Sequence, residues 1–283
     1  MSHVIVVGAD GSPGGTAAVE WAADDAARAK APLRIVFAVE REPYRIVKYP
    51  IPDLGDALNR SAEKVLGEAE TTARKRQPDL DITTEVSQDA PAVMLRAQAE
   101  DAAEVVVGSR GLGGFARAVM GSVSIHVAGQ AHGPVVVVRS SPETTYGEIV
   151  VGVDDSTACE AAIAYAFEQA GLRAGTLRAV FAWQRPMHAY MPELDYDMDE
   201  VAAMQRRIAA DKLRPWRKKY PQVTVIEDVY TAHPVDVLTD ASKRADLVVV
   251  GSHGRGAIGS AVLGSVSRGV LHHARCAVAV VRP

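Results

Sequence analysis

The chain has little that would mark it as secreted, membrane-bound or metal-centred. It contains two cysteines, Cys159 and Cys276, without ligand-type spacing. A zinc site and a disulfide framework are therefore excluded, and both residues are expected to be reduced thiols in a cytoplasmic protein. No apolar run reaches the ~20 residues of a membrane-spanning helix. The start, MSHVIVVGAD, passes straight into a strand, without the basic, apolar and small-residue regions of a signal peptide. Neither sign of charge dominates: 31 Lys and Arg stand against 35 Asp and Glu, a formal charge of −4. That balance gives no electrostatic footprint for nucleic acid or an acidic membrane. No glycine precedes Lys-Ser or Lys-Thr, so there is no P-loop. No serine has a plausible histidine and acid partner in both halves, which leaves a hydrolase triad without support. His272 and His273 would point about 100° apart on a helix and make no metal pair. His126, His132, His188 and His233 show no ligand spacing either.

What the chain does have is an internal repeat. Val6-Val7-Gly8-Ala9-Asp10-Gly11-Ser12 matches Val150-Val151-Gly152-Val153-Asp154-Asp155-Ser156, and Leu33 to Ala38 matches Leu177 to Ala182. Val137-Val138-Arg139 matches Val280-Val281-Arg282. The period is too long for a solenoid, so the repeat is a duplicated domain. The domains are expected at 1–141 and 147–283, with a linker at 142–146 inside the stretch SSPETTYG. In the first half, strands are expected over 3–7, 33–39, 81–86, 104–107 and 135–138. Helices are expected from Ser12-Pro13 to Lys30, and over 56–76, 91–101 and 122–130; the proline-rich stretch 41–55 is too irregular for one. This alternation defines an α/β fold, a parallel sheet with right-handed crossovers.

The second repeated feature carries the chemistry. Gly108 to Ser124 reads GSRGLGGFARAVMGSVS, and Gly251 to Ser267 reads GSHGRGAIGSAVLGSVS. Each follows an apolar run, and each has a glycine, two residues, a glycine, nine residues and Gly-Ser-Val-Ser. A glycine loop between a strand and a helix can bring backbone N–H groups close to an anion. Ser122 and Ser124, with Ser265 and Ser267, would add hydroxyl donors at the helix mouth. Ligands of open parallel sheets bind beyond the carboxyl ends of the strands, where the strand order reverses. Asp10 and Asp154 end the first strand of each half, so a carboxylate suited to ribose hydroxyls would face a phosphate cradle. Asp at such a turn also caps helix N–H groups, and glycines after strands also serve tight turns. Gly254 to Gly259 fits GxGxxG but follows the fourth strand of its half, which rules it out as a dinucleotide fingerprint.

The spacing Gly-x2-Gly-x9-Gly-Ser, with an Asp closing the first strand, resembles the ATP-binding branch of the universal stress proteins. The arrangement in tandem is similar to the two-domain members of mycobacteria and related actinobacteria. The resemblance implies two open-sheet domains, each a five-stranded parallel sheet of order 3-2-1-4-5 with helices on both faces. It implies one ATP per half, with or without Mg²⁺, with the base near Asp10 and Val39 and near Asp154 and Trp183. Ribose and phosphates would lie on Gly108, Arg110, Gly111, Gly121, Ser122, Val123 and Ser124. In the second half they would lie on Gly251, His253, Gly254, Gly264, Ser265, Val266 and Ser267. Pairing through the last strands of each half, into a homodimer, is implied as well.

The implied role is an ATP-binding regulatory protein of the stress response, without a catalytic residue. A slow ATPase or phosphoryl-transfer enzyme and an AMP- or cyclic AMP-binding module stay open as alternatives. Fast phosphoryl transfer needs a cation on the γ-phosphate, and neither loop contains a lysine. One departure from the family is Trp183, which stands where a small or β-branched residue is usual. The segments after strand two also differ. Arg41, Arg45 and Lys48 oppose Glu42 and Asp53 in the first half, whereas Arg185 alone opposes Glu193, Asp195, Asp197, Asp199 and Glu200 in the second. Acidic residues over a polyphosphate repel it, so the first half is expected to bind ATP more tightly.

Overall fold

Unbroken apolar runs such as Val4 to Val7 are stable as strands where both faces of a sheet are covered. The computed structural model describes residues 4–39, 54–112, 120–140, 144–156, 159–184, 198–254 and 263–283. The chain divides into two units, Met1–Ser141 and Pro142–Pro283. In the first, the strands are β1 (Val4–Gly8), β2 (Leu33–Ala38), β3 (Ile82–Ser87), β4 (Ala102–Gly108) and β5 (Gly133–Val138). The helices are α1 (Pro13–Ala29), α2 (Leu54–Arg76), α3 (Pro91–Ala99) and α4 (Ser122–Gln130). All strand pairs are parallel and the order is β3-β2-β1-β4-β5. The order reverses between β1 and β4, which carry Asp10 and the glycine loop at their carboxyl ends.

The second unit repeats this plan. Its strands are β6 (Glu148–Val153), β7 (Thr176–Trp183), β8 (Thr224–Thr231), β9 (Leu247–Gly251) and β10 (Ala277–Arg282). Its helices are α5 (Cys159–Leu172), α6 (Met198–Lys219), α7 (Pro234–Ala241) and α8 (Ser265–His273). The order is β8-β7-β6-β9-β10, again all parallel. Right-handed crossovers running in opposite directions from the first strand put α1 and α2 on one face and α3 and α4 on the other. Contacts of α1 with α2, and of α3 with α4, agree with this, as do those of α5 with α6 and α7 with α8.

Small side chains set how closely the first helix lies on its sheet. Ala17, Ala18, Ala22, Ala23 and Ala26 of α1 are all buried. Ser12 caps the helix, its Oγ accepting from Gly15 N at 3.0 Å, and Pro13 opens it. The sequence-based boundaries hold closely at α4 and drift elsewhere: α2 begins at Leu54 rather than Asp56, and β3 begins at Ile82 rather than Asp81. Of the expected irregular stretch 41–55, residues 41–53 lie outside the described residues, and Leu54 and Gly55 belong to the first turn of α2 instead. Among the described residues, no helix is long and apolar enough to cross a membrane.

One ion pair fastens α1 to α2. Arg76 Nε donates to both oxygens of Asp24 at 3.0 Å and Nη2 to Oδ2 at 2.8 Å, while Gln77 Nε2 donates to Oδ1 at 2.9 Å. Burial alone would raise the pKa of Asp24, but the bonds from Arg76 and Gln77 and the charges of Arg76 and Arg28 hold it below 3.8. A lowered folded-state pKa gives stabilisation that is complete above the unfolded value and is lost as the pH falls through the folded one. Arg76 is half-exposed, so Arg76→Ala should cost roughly 1–2 kcal/mol at pH 7. Melts at pH 7 and pH 3 should show that penalty shrinking in acid; an equal penalty at both would remove the ion pair as its cause.

Candidate functional site

The site of the first unit is built where two backbones touch. A Cβ on Gly108, the last residue of β4, would lie 2.6 Å from the carbonyl carbon and oxygen of Gly14. A Cβ on Gly14 would lie 2.6 Å from the carbonyl oxygen of Arg110. The first turn of α1 therefore sits directly on the loop after β4, with no side chain between them. The Asp10 carboxylate closes the junction. Its Oδ1 accepts from Ser12 N at 2.9 Å, and its Oδ2 accepts across the crevice from Leu112 N at 3.2 Å. A Cβ on Gly111 would collide with Asp10 Oδ2. Ser12 Oγ adds a long second link, donating to Arg110 O at 3.4 Å. The turn-capping role of Asp10 is thus present, and the same carboxylate also reaches the glycine loop.

The far end of the loop leads into α4. Gly121 is its N-cap, with no side-chain hydrogen bond to the first turn. The N–H groups of that turn have no partner within the helix, and the helix dipole adds positive potential there. Ser122 is exposed and Val123 half-buried at this mouth. Arg110 is exposed too, and its guanidinium has no partner among the described residues. Ser124 differs from expectation. It is buried, and its Oγ donates to Gly108 O at 2.7 Å, so its hydroxyl fastens the helix to the strand end instead of facing a ligand. Ser267 does the same, donating to Gly251 O at 2.6 Å. Residues two apart on a helix point about 200° apart, so Ser122 and Ser124 cannot both face the crevice. Gly121, Gly108 and Arg110 meet around this point, whereas Val39 follows the end of β2, and β1 stands between that strand and β4.

The second unit keeps the plan and changes the side chains. Asp154 Oδ1 accepts from Ser156 N at 3.0 Å and from Ser156 Oγ at 2.5 Å. Gly254 approaches the carboxylate as Gly111 does, and a Cβ there would lie 2.8 Å from Asp154 Oδ2. Gly264 is the N-cap of α8, again without a side-chain cap; Ser265 is exposed and Val266 half-buried behind it. Where the first unit has Gly15, the second has Cys159. Its Sγ accepts from Asp154 N at 3.4 Å and faces Gly152 O at 3.6 Å. Burial pushes this thiol up to about 12. Lys212 of α6 reaches the same turn, Nζ donating to Ser156 O at 3.0 Å. His253 stands in the place of Arg110, its Nδ1 3.0 Å from Ser252 Oγ and its Nε2 buried without a partner among the described residues. Trp183 ends β7 in the place that follows β2 in the first unit, and its buried Nε1 has no partner among the described residues.

Sequence reasoning missed Gly14 and Gly15, Cys159 and Lys212. Two glycines directly after a helix-opening proline were a usable signal, since that position otherwise favours good helix formers. Lys212 carried none, because its partner is 56 residues away.

Two open parallel sheets in tandem, each with a carboxylate and a glycine loop at its switch point, define a duplicated α/β protein of the ligand-crevice type. The universal stress protein family model matches residues 1–139 and 145–282, and the chain belongs to that family. A universal stress protein of Mycobacterium tuberculosis strain H37Rv is 36% identical over 292 residues, covering 99% of this chain and 97% of that protein. One from Mycolicibacterium smegmatis is 33% identical over 289 residues, covering 99% and 97%. The crystal structure of a universal stress protein from Archaeoglobus fulgidus superposes with a TM-score of 0.73 at 19% identity, covering 100% of this chain and 99% of that one. At that identity the likeness speaks for the fold.

The contacts predict opposite signs for two glycine substitutions. Gly108→Ala should destabilise by roughly 1–3 kcal/mol, because two backbones must part. Gly67→Ala in α2, with nothing within 4 Å, should stabilise by roughly 0.5–1 kcal/mol. Denaturant melts of the two variants check this, and equal shifts would contradict the junction. The buried Cys159 should resist a thiol reagent at pH 8 until the chain is unfolded; modification of Cys159 at the rate of a free thiol would contradict its placement.

Proposed function

We propose that each unit binds one adenine nucleotide, ATP with or without Mg²⁺, in the crevice between its first and fourth strands. Occupancy then tunes conformation or partner binding in a cytoplasmic stress-response protein, and no residue is assigned a catalytic role. The observation that carries this reading is the junction at Asp10. A carboxylate and a glycine loop that runs into an uncapped helix N-terminus share one crevice. The pattern recurs at Asp154, Gly254 and Gly264. Ribose hydroxyls would take the carboxylates of Asp10 and Asp154, the base would lie toward Val39 and Trp183, and the phosphates toward the loops. There the donors would be backbone N–H groups from Gly108 to Gly111 and from Ser122 to Ser124, the Ser122 hydroxyl and Arg110. In the second unit they would be the N–H groups from Gly251 to Gly254 and from Ser265 to Ser267, the Ser265 hydroxyl and His253. Ser124 and Ser267 would contribute through their backbone, since their hydroxyls are committed to strand ends. The mycobacterial relatives are called universal stress proteins, which supports the stress-response role.

Each unit's sheet ends in its last strand, β5 or β10, and these are the strands through which we propose that pairing occurs.

Calorimetric titration with ATP should give two sites per chain. Gly111→Glu and Gly254→Glu, each placing a carboxylate against Asp10 or Asp154, should each remove one of them. Ser122→Ala should weaken the first site without changing the stoichiometry. Absence of heat, and of any melting shift, with ATP, ADP, AMP and cyclic AMP would overturn the reading.

A further inference from the structure

On the face of the second unit that α7 covers, a cleft of about 730 Å³ lies between that helix and the edge strand β8. Arg178 and Val180 of β7 form its floor, and Tyr230 of β8 stands opposite Asp236, Asp240 and Ala241 of α7. Its walls share no residue with the crevice of Asp154. The first unit shows why the space is there. Counted from the helix-opening prolines, Pro91 and Pro234, Ala241 takes the place of Gln98. Gln98 reaches from α3 to the sheet, its Oε1 accepting from Arg34 Nη1 at 2.7 Å and its Nε2 donating to Glu85 Oε1 at 3.1 Å. An alanine cannot reach that far. In the second unit the matching arginine, Arg178, turns along the sheet instead, with Nε donating to Glu148 at 2.8 Å and Nη1 to Asp228 at 2.5 Å. The side chain that spans this space in one unit is missing from the other.

The cleft carries charge of opposite sign at its two ends. In a crossover the helix runs back against the strands, so the first turn of α7 lies toward the carboxyl ends of β7 and β8 and its last turn toward their amino ends. At the first end stand the exposed Asp236 and the phenol of Tyr230, which is 41% exposed. At the other end Lys243 Nζ donates to Asp240 at 2.7 Å, and Arg244 is exposed. The side chains of Asp236 and Arg244 have no hydrogen bond or ion pair among the described residues. Residues 236, 240 and 244 are spaced by four and share one side of the helix, with roughly 12 Å of axis from first to last. Charges in these places also complement a helix dipole. The fold does not need them for that purpose: α3 has no acid in its first turn, and Glu100-Asp101 stand where α7 is followed by Lys243-Arg244.

We propose that this cleft is a ligand site of its own, for a small zwitterion whose charged ends lie about 10 Å apart, the chemistry of a free peptide of about three residues. The ammonium meets Asp236 beside the ring of Tyr230, and the carboxylate meets Arg244 and Lys243. Val180 and Val237 give the middle of the ligand an apolar wall. Three cations, Arg178, Lys243 and Arg244, balance three acids, Glu148, Asp236 and Asp240, in the lining. A neutral ligand with separated charges therefore suits it better than a simple anion or cation. The first unit lacks this pattern, with Val93 and Ala97 in the places of Asp236 and Asp240, so one such site per chain is expected. The proposal stands apart from the nucleotide reading.

The test titrates tri-alanine into the isotope-labelled full chain and reads affinity and position together from the shifts of the amide resonances. Tri-alanine should bind at one site per chain and move the amides of Tyr230, Asp236 and Arg244. N-acetyl-tri-alanine amide has the length without the charges, and alanine has the charges without the length; each should bind roughly tenfold more weakly, the loss of two exposed charge contacts. Asp236→Asn and Arg244→Gln, at exposed positions, should each weaken tri-alanine severalfold without moving the melting temperature. Ala241→Gln, which restores the residue of the first unit, should abolish binding; if that variant does not fold, the two charge variants decide. Equal affinity for the capped peptide, binding unchanged in both charge variants or in a folded Ala241→Gln, or the absence of shifts around the cleft at any tri-alanine concentration would overturn the proposal.

Discussion

Two backbones in direct contact are the constraint on which the first crevice depends. Gly108 at the end of β4 and Gly14 at the start of α1 leave no room for a β-carbon on either. The contact fixes the height of the loop above the sheet, and so fixes where its N–H groups lie. Asp10 then holds the two pieces in register, one oxygen on its own turn and the other on Leu112 N. A side chain at any of these glycines would push the loop outward, away from the carboxylate. The glycines therefore act by what they omit, and the aspartate acts by spanning the space that they leave open.

That junction exists because of the strand order. Parallel strands with right-handed crossovers need helices on both faces, and the chain must start in the middle of the sheet to place them. Leaving β1 toward β2 sends α1 over one face, while the return through α3 to β4 uses the other. The turn after β1 and the loop after β4 thus diverge from neighbouring strand ends, and a crevice opens between them. The valine-rich strands do no chemistry; they hold the two divergent turns at a set distance.

Much of this was readable from residue types alone. The repeat, the alternation of strands and helices, and the pairing of a strand-end Asp with a glycine loop followed from local pattern, and α4 begins where Gly121-Ser122 said it would. What local pattern could not give was direction and distance. Ser124 looked like a donor because it stands at a helix mouth, yet helical geometry turns it inward to Gly108 O. Cys159 was expected only to be a reduced thiol, yet it stands where Gly15 approaches Asp10 in the first unit. Lys212 became part of the second turn only when α6 folded over α5. Each of these depends on contacts between residues far apart along the chain or on which side of a helix a residue falls.

Duplication makes the chain its own control. The parts common to both units are the carboxylate, the loop glycines and the uncapped helix. The parts that differ are the side chains around them. The account's central claim is that these crevices hold adenine nucleotide, and the most direct measurement is the nucleotide content of freshly purified, denatured protein, resolved by anion exchange and counted per chain. The account predicts adenine nucleotide in the supernatant, at between one and two per chain. Protein that carries none, and takes up none when incubated with ATP or AMP and desalted, would contradict it and leave the glycine loops as turns.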